Sequence, residues 1–306
     1  MKVLTTGASG LIGSALVPIL QKQGHEVVSL TRSEARRPGE FHWDPDRGHI
    51  DPAALEGIDA VVHLAGESVA GRWSEEKKRR ILESRVNGTR LVSEAIAALD
   101  PPPRAMVCAS GVGVYGDRGD EPVTEDSPVS ADGFLANVVR AWEAAAQPAR
   151  DAGVRVVNTR FGIVQSARGG ALKTQLPLFK AGFGGPLGGG RQYVSWVSID
   201  DTVGAIAFAL SHDDLSGPVN VTAPLPVTQA EYARTLGRVL RRPAVLPAPG
   251  FAIRLVLGEF AGEVLEGQRV IPQRLTDSGY AFRHRELERT LRDVLGRGGG
   301  SQLARP

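Results

Sequence analysis

Lys2-Val3-Leu4-Thr5-Thr6, Gly7-Ala8-Ser9-Gly10-Leu11-Ile12-Gly13 and Ser14-Ala15-Leu16-Val17-Pro18-Ile19-Leu20-Gln21 read in succession as an apolar strand, a glycine-rich turn and a helix. The glycines at 7, 10 and 13 stand in a G-x-x-G-x-x-G spacing, between the two elements that a dinucleotide phosphate site requires. The first glycine permits a tight turn. The second lets a pyrophosphate approach the backbone. The third lets helix and strand pack closely. The helix start adds unpaired N–H groups and a positive dipole end. An ordinary βα turn that binds nothing is the less favoured reading, because the motif sits between the correct elements.

Gly24 closes the helix, and His25 to Thr31 forms a second strand. A site that prefers NAD usually ends this strand with Asp or Glu for the ribose hydroxyls. Here the end is Thr31-Arg32-Ser33, followed by Arg36 and Arg37. A guanidinium fork beside hydroxyls suits a 2′-phosphate, so NADP(H) is expected over NAD(H), with Arg32 as the reader. A solvated basic face is the alternative for these arginines.

Further along, Ile58 to Gly66 is a nearly continuous apolar run, as in a parallel strand covered on both faces. Its end, Leu64-Ala65-Gly66, leaves room for a cofactor, whereas His63 sits inside the run as a core histidine. Ser74 caps a long helical region from Glu75 to Leu99, in which Arg85 is placed to face the cofactor. The next strand, Ala105 to Ser110, brings Ala109 to the cofactor and leads into Gly111-Val112-Gly113-Val114-Tyr115-Gly116. Ligands in open α/β sheets lie beyond the carboxyl ends of strands, which makes Ser110 and Tyr115 candidate catalytic groups. A helix from Phe134 to Ala149, interrupted by Pro148, and a strand from Val154 to Val164 with a polar interruption at its far end follow. Arg160 on that strand either meets a substrate anion or serves a structural ion pair. Six glycines between Ala181 and Arg191 rule out a regular core element and predict a substrate-side loop, with Arg191 as a second anion contact.

The alternation of strands and helices predicts a Rossmann-like, doubly wound parallel α/β sheet over residues 1–225, with a substrate-side insertion near 166–195. A small, mostly helical C-terminal domain is expected over 226–296 and a disordered tail over 297–306.

With 36 basic and 34 acidic residues, the net charge of +2 offers no electrostatic case for nucleic acid. The one cysteine, Cys108, excludes a disulfide framework and a cysteine-based metal site, and no metal is expected. No stretch is apolar enough to span a membrane, and no signal-peptide pattern opens the chain, so a cytoplasmic protein acting on a small molecule is expected. Homo-oligomer formation is left open.

Taken together, several stretches resemble the extended, atypical short-chain dehydrogenases/reductases of the nucleotide-sugar-epimerase-like family. They are Thr6 to Gly13, His63 to Glu67, Ser84-Arg85-Val86, Val112 to Asp117, Gly185 to Gln192, Trp196 to Asp201, Asn220 to Pro224 and, in the extra C-terminal piece, Leu265 to Val270. The resemblance implies NAD(P) on the first glycine loop, seated by Gly7, Ser9, Gly10, Leu11, Ile12 and Gly13. It also implies a substrate crevice against the C-terminal portion. Active members of the superfamily carry a Tyr-x-x-x-Lys pair on the helix that starts here at Phe134. With Glu143 as register, those places fall near Leu135 and Val139, and neither moves a proton at neutral pH. An NADP-dependent oxidoreductase or epimerase-like enzyme is therefore the leading expectation. An NADP(H)-binding regulatory or redox-sensing protein without dehydrogenase chemistry is the alternative.

Overall fold

A computed structural model describes residues 1–297 of the chain. The expected tail lies outside the described residues except for Arg297, whose guanidinium donates to the Val239 carbonyl at 3.0 Å.

The central sheet is built from β1 (Lys2–Thr6), β2 (Glu26–Thr31), β3 (Glu40–Asp44), β4 (His49–Ile50), β5 (Ala60–His63), β6 (Ala105–Gly111), β7 (Arg155–Phe161) and β8 (Gly217–Val221). The order is β8-β7-β6-β5-β1-β2-β3-β4. Only the β3–β4 pair is antiparallel. After β1 the chain winds outward through β2 and β3, then returns to β5 on the other side of β1. The order therefore reverses between β1 and β5, and the crevice outside their carboxyl ends is the ligand position of doubly wound sheets.

Successive strand residues point to opposite faces, so a run that is apolar at every position needs cover on both. One face sets Val3, Val62, Val107 and Val157 against Leu16 and Leu20 of helix α1 (Gly13–Lys22) and Ile206 of helix Ile199–Ser211. The other sets Leu4, Val28, Val61 and Met106 against Val92 and Ile96 of helix α2 (Glu75–Ala97). Cys108 is buried in this second layer, where burial pushes its thiol up to about 12.

The structure sharpens three local expectations. The helical region after Ser74 is one unbroken helix, with the Ser74 hydroxyl accepting from the Lys77 N–H at 3.2 Å. The interruption expected at Pro148 divides the helix into α3 (Phe134–Ala144) and Gln147–Asp151, because Pro148 has no N–H to continue the ladder but suits a helix start, and the second piece runs two residues past Ala149. The strand through Val164 breaks at Gly162, where any Cβ would run into the Ser195 carbonyl. Ile163–Gln165 therefore leaves the sheet to pair with Trp196–Ser198.

The C-terminal segment is mostly helical, with its longest helices at Gln229–Leu240, Gly250–Leu257 and Leu287–Val294. Asp201, almost fully buried, anchors part of it. Its carboxylate accepts from the Ser198 hydroxyl at 2.8 Å and from the N–H groups of Arg283 and His284 at 2.8 and 2.9 Å.

Candidate active site

The glycine loop has the shape that its sequence demands. Gly7 sits at φ +68°, and a Cβ there would stand 2.9 Å from the Leu64 carbonyl carbon, so strand ends β1 and β5 approach to backbone contact. A Cβ on Gly13 would collide with the Gly7 carbonyl and lie 2.7 Å from Ala8 Cα. The Gly10 N–H closes the turn on the Gly7 carbonyl at 3.0 Å. At the start of α1 the Ser14 and Ala15 N–H groups bond back to the Gly10 and Ile12 carbonyls at 2.9 and 3.0 Å, which leaves the donors of the loop before them for a ligand. This bare-backbone cradle fits a diphosphate by shape and by donor chemistry. Leu11 turns its side chain toward Gly169 and Gly170, which ties the loop to the start of helix Gly170–Lys180.

A buried relay fixes the opposite wall. The Thr6 hydroxyl oxygen accepts from the Leu64 and Ala65 N–H groups, both at 3.1 Å, so its own hydrogen goes to His63 Nδ1 at 2.9 Å. That arrangement puts the imidazole proton on Nε2, which is buried without a partner. His63 is wholly buried and edge-on to Trp43, and burial pushes it down to about 4, so it stands neutral in the core as expected. Arg85 holds the next residues. It donates to the Glu67 carbonyl at 2.9 Å and lies over the Trp142 ring at 4.8 Å, with its guanidinium against Gly66. Burial pulls its guanidinium down to about 10.

At the tip of β2, Arg32, Ser33, Arg36 and Arg37 are all exposed, and Thr31 and Ser33 hydrogen-bond each other at 2.9 Å.

The catalytic candidates from β6 are engaged elsewhere. Ser110 donates to Glu143 Oε1 at 2.6 Å. Arg160 grips the same carboxylate through Nε and Nη2, each at 2.8 Å, and its Nη1 donates to the Tyr115 hydroxyl at 2.9 Å. The Tyr115 hydroxyl in turn donates to Asn220 Oδ1 at 2.8 Å. Tyr115 is 0% exposed, and burial raises its phenol above the ordinary range. Of the two expectations for Arg160, the structural ion pair is the one the geometry gives. It is 4% exposed and its guanidinium is committed to Glu143 and Tyr115, so it has no fork to offer a substrate anion. Arg191 is exposed on the glycine-rich loop.

On α3, Leu135 and Val139 do stand at the crevice. A Cβ on Gly113 would lie 3.6 Å from Leu135 Cβ, and one on Gly111 would lie 3.9 Å from Val139. Asn137 and Arg140, the polar residues between them, are exposed and bonded to each other, and Arg140 also donates to the Ser130 and Ala131 carbonyls.

Sequence reasoning missed the acidic side of the crevice. A cavity of about 290 Å³ opens between the residues after β6, the start of α3 and the C-terminal helix Ala261–Leu265, and Asp117, Ser130, Glu263 and Glu266 line it. Glu263 is solvent-exposed along the open cavity, and desolvation by the protein around it, reinforced by the charge of Glu266, lifts its carboxyl to about 7. Nothing in the periodicity of 263–270 marks these carboxylates, because they act across elements more than a hundred residues apart in sequence.

Comparison with known proteins agrees with this geometry. Residues 3–222 match the family model described as the NAD dependent epimerase/dehydratase family, and residues 248–294 match a domain of unknown function, DUF1731. The chain is 43% identical over 291 residues to an epimerase family protein of Mycobacterium bovis, Mb2239, covering 94% of this chain and 96% of that one. The crystal structure of human epimerase family protein SDR39U1 (isoform 2) with NADPH is 37% identical, superposes with a TM-score of 0.89, and covers 97% of this chain and 99% of that chain.

These comparisons correct the expectation of NADP(H) over NAD(H). The human relative contains NADPH, but the more distant structures with a named nucleotide contain NAD. Among them are MoeE5 with UDP-glucose and NAD (22% identical, TM-score 0.76) and Thermus thermophilus UDP-glucose 4-epimerase with NAD (22% identical, TM-score 0.75). At that identity the likeness shows the fold alone, and that fold carries either nucleotide. The exposed arginines at the β2 tip have no fixed geometry that would select a 2′-phosphate. With its glycine cradle, its sheet order and its C-terminal DUF1731 domain, the chain belongs to the NAD dependent epimerase/dehydratase family within the extended short-chain dehydrogenases/reductases, and is an NAD(P)-binding enzyme of that superfamily.

Proposed function

We propose that the chain transfers hydride between NAD(P) and a carbon bearing a hydroxyl or carbonyl group on a small, sugar-type substrate, as an oxidoreductase or epimerase-like enzyme. The observation that carries this reading is the cradle at Gly7, Gly10 and Gly13, closed against Leu64 and Ala65. The dinucleotide, when bound, supplies the hydride chemistry, and the protein supplies placement and electrostatics. Gly7, Ser9, Gly10, Leu11, Ile12 and Gly13 seat the diphosphate. Leu64, Ala65, Gly66 and Ala109 line the nucleotide. Thr6, His63 and Arg85 hold that wall in register, and Arg32 stands at the ribose end. Ser110 and Tyr115 act as positioning groups through Glu143 and Arg160, and Arg191 remains the anion contact of the outer loop.

The test is isotopic. The protein is incubated with nucleotide deuterated at the transferable hydrogen and a panel of carbonyl compounds and sugar nucleotides. Deuterium in a recovered product supports the reading. Saturable nucleotide binding with no transfer across the panel favours a second reading, a nucleotide-binding regulator. That alternative is motivated by the apolar Leu135 and Val139 in place of a Tyr-x-x-x-Lys pair.

A further inference from the structure

The crevice has hydride-side architecture but no proton carrier on α3. Leu135 and Val139 are hydrocarbon, the Ser110 hydroxyl is spent on Glu143, and the Tyr115 hydroxyl is buried between Arg160 and Asn220. A reduction that adds hydride to a carbonyl carbon also needs a proton on its oxygen.

One titratable group lies beside Leu135, next to the place where the superfamily carries its tyrosine. Gly113 follows β6 at the crevice floor. A Cβ built on it would lie 3.6 Å from Leu135 Cβ and 4.0 Å from Glu263 Oε2. The absence of a side chain at Gly113 is thus what leaves the Glu263 carboxyl open to the Leu135 side of the cavity. The carboxyl arrives from the C-terminal domain, on helix Ala261–Leu265, and lines the cavity of about 290 Å³ together with Asp117, Ser130, Asp132 and Glu266. The charged groups lining the cavity with it are therefore carboxylates, with the Ser130 hydroxyl and the Gln268 amide as neutral neighbours. Of the cations on neighbouring elements, Lys78 is held by Glu75 at 3.0 Å and Glu259 at 2.6 Å, Arg118 by Glu121 at 2.7 Å, and Arg140 donates to the Ser130 and Ala131 carbonyls; among the described residues no ion pair engages Glu263. The side chain reaches solvent through the open cavity, yet desolvation by the cavity walls and the Glu266 charge raise its carboxyl to about 7, so both protonation states are populated near neutrality.

We propose that Glu263 is the proton-carrying residue of this site, meeting the substrate oxygen across Gly113. In reduction, the Glu263 carboxylic acid gives its proton to the carbonyl oxygen while the carbonyl carbon receives a hydride from the dihydronicotinamide. The carbonyl is reduced to an alcohol, the nicotinamide is oxidised, and Glu263 is left as carboxylate. In oxidation, the carboxylate takes the hydroxyl proton as the hydride leaves for the oxidised nicotinamide. This inference rests on the hydride-transfer reading above.

The test needs no substrate, because the oxidised nicotinamide ring carries a positive charge and the reduced ring does not. The Glu263 carboxyl carbon is followed by NMR against pH in the full-length protein, alone, with NAD⁺ and with NADH, and Glu263→Gln identifies the signal by its loss. The expected midpoint is near 7 without nucleotide. A nearby cationic ring lowers it by about one pH unit with NAD⁺ relative to NADH, because the two nucleotides share the same phosphates. An ordinary carboxylate midpoint without nucleotide, or equal midpoints with NAD⁺ and NADH, overturns the proposal while leaving the cofactor site intact. Failure of either nucleotide to bind, read separately by reduced-nicotinamide fluorescence, overturns the hydride-transfer reading and this proposal with it.

Discussion

Glu143 on α3 holds Arg160 on β7 through two 2.8 Å hydrogen bonds, and both side chains are largely withdrawn from water. The pair also takes the Ser110 and Tyr115 hydroxyls, so the polar groups at the ends of β6 and β7 form one closed network. Removing one partner leaves an uncompensated buried charge. Arg160→Ala is therefore expected to cost about 3–5 kcal/mol in denaturant unfolding. Replacing both residues with apolar side chains of similar volume should cost much less, and a double variant as unstable as the single one would contradict this account.

Tyr115→Phe separates a structural phenol from a catalytic one. Losing the hydroxyl strips partners from Asn220 and Arg160, for an expected cost of about 1–3 kcal/mol. Once a substrate is in hand, the pH profile of kcat/KM should keep its shape in this variant. Loss of a limb of the profile would return Tyr115 to the proton chemistry.

Gly7→Ala tests the cradle. The position has φ +68°, and the new methyl would meet the Leu64 carbonyl at 2.9 Å. The left-handed backbone alone costs about 1–2 kcal/mol for an L-residue, and the collision forces Leu64 and Ala65 away from the nucleotide. Reduced-nucleotide fluorescence titration should show binding at least about tenfold weaker, equivalent to about 1.4 kcal/mol. Unchanged affinity would mean that the nucleotide lies elsewhere.

His63 makes stability depend on pH in a defined direction. Its folded pKa, about 4, lies below the ordinary 6.5, so between these values the unfolded chain binds a proton that the folded chain does not. Stability contributed by the neutral imidazole is therefore complete above pH 6.5 and is lost as pH falls toward 4, by about 3 kcal/mol in all. Unfolding curves of wild type and His63→Asn should converge in slope above that window and diverge within it. The same slope in both proteins through the window would contradict the assignment.

Asp201 is the corresponding anchor for the C-terminal segment. Burial works against its charge, but hydrogen bonds from His284, Arg283 and Ser198 prevail and hold its carboxyl below the usual range. Asp201→Ala leaves the Arg283 and His284 N–H groups without acceptors. Limited proteolysis should then cut after residue 270 faster than in wild type, and unchanged cutting would show that the helices dock without this clasp.

The parts of the molecule that were legible in sequence depend on local chain geometry. The glycine spacing, the doubly apolar strands, the Ser74 cap and the buried His63 all follow from residues close together in the chain. The roles of Arg160 and Ser110 were not legible, because they are decided by Glu143 on another element. The nucleotide preference read from Arg32 failed for a related reason. An exposed arginine at a strand tip has the right chemistry but no neighbours to fix its fork. Glu263 escaped notice because its environment is assembled from the C-terminal domain and the residues after β6, and no pattern within either segment announces the other.

The central claim is that the glycine cradle binds a dinucleotide for hydride transfer. Its most direct test is stopped-flow absorbance in the reduced-nicotinamide band, with the protein, NAD⁺ or NADP⁺, and each member of a sugar-nucleotide and hydroxy-compound panel. The account predicts a rise in the reduced band with at least one compound, slowed by Glu263→Gln and abolished by Gly7→Ala. A flat trace with every compound, in protein shown by fluorescence to be saturated with nucleotide, would contradict it.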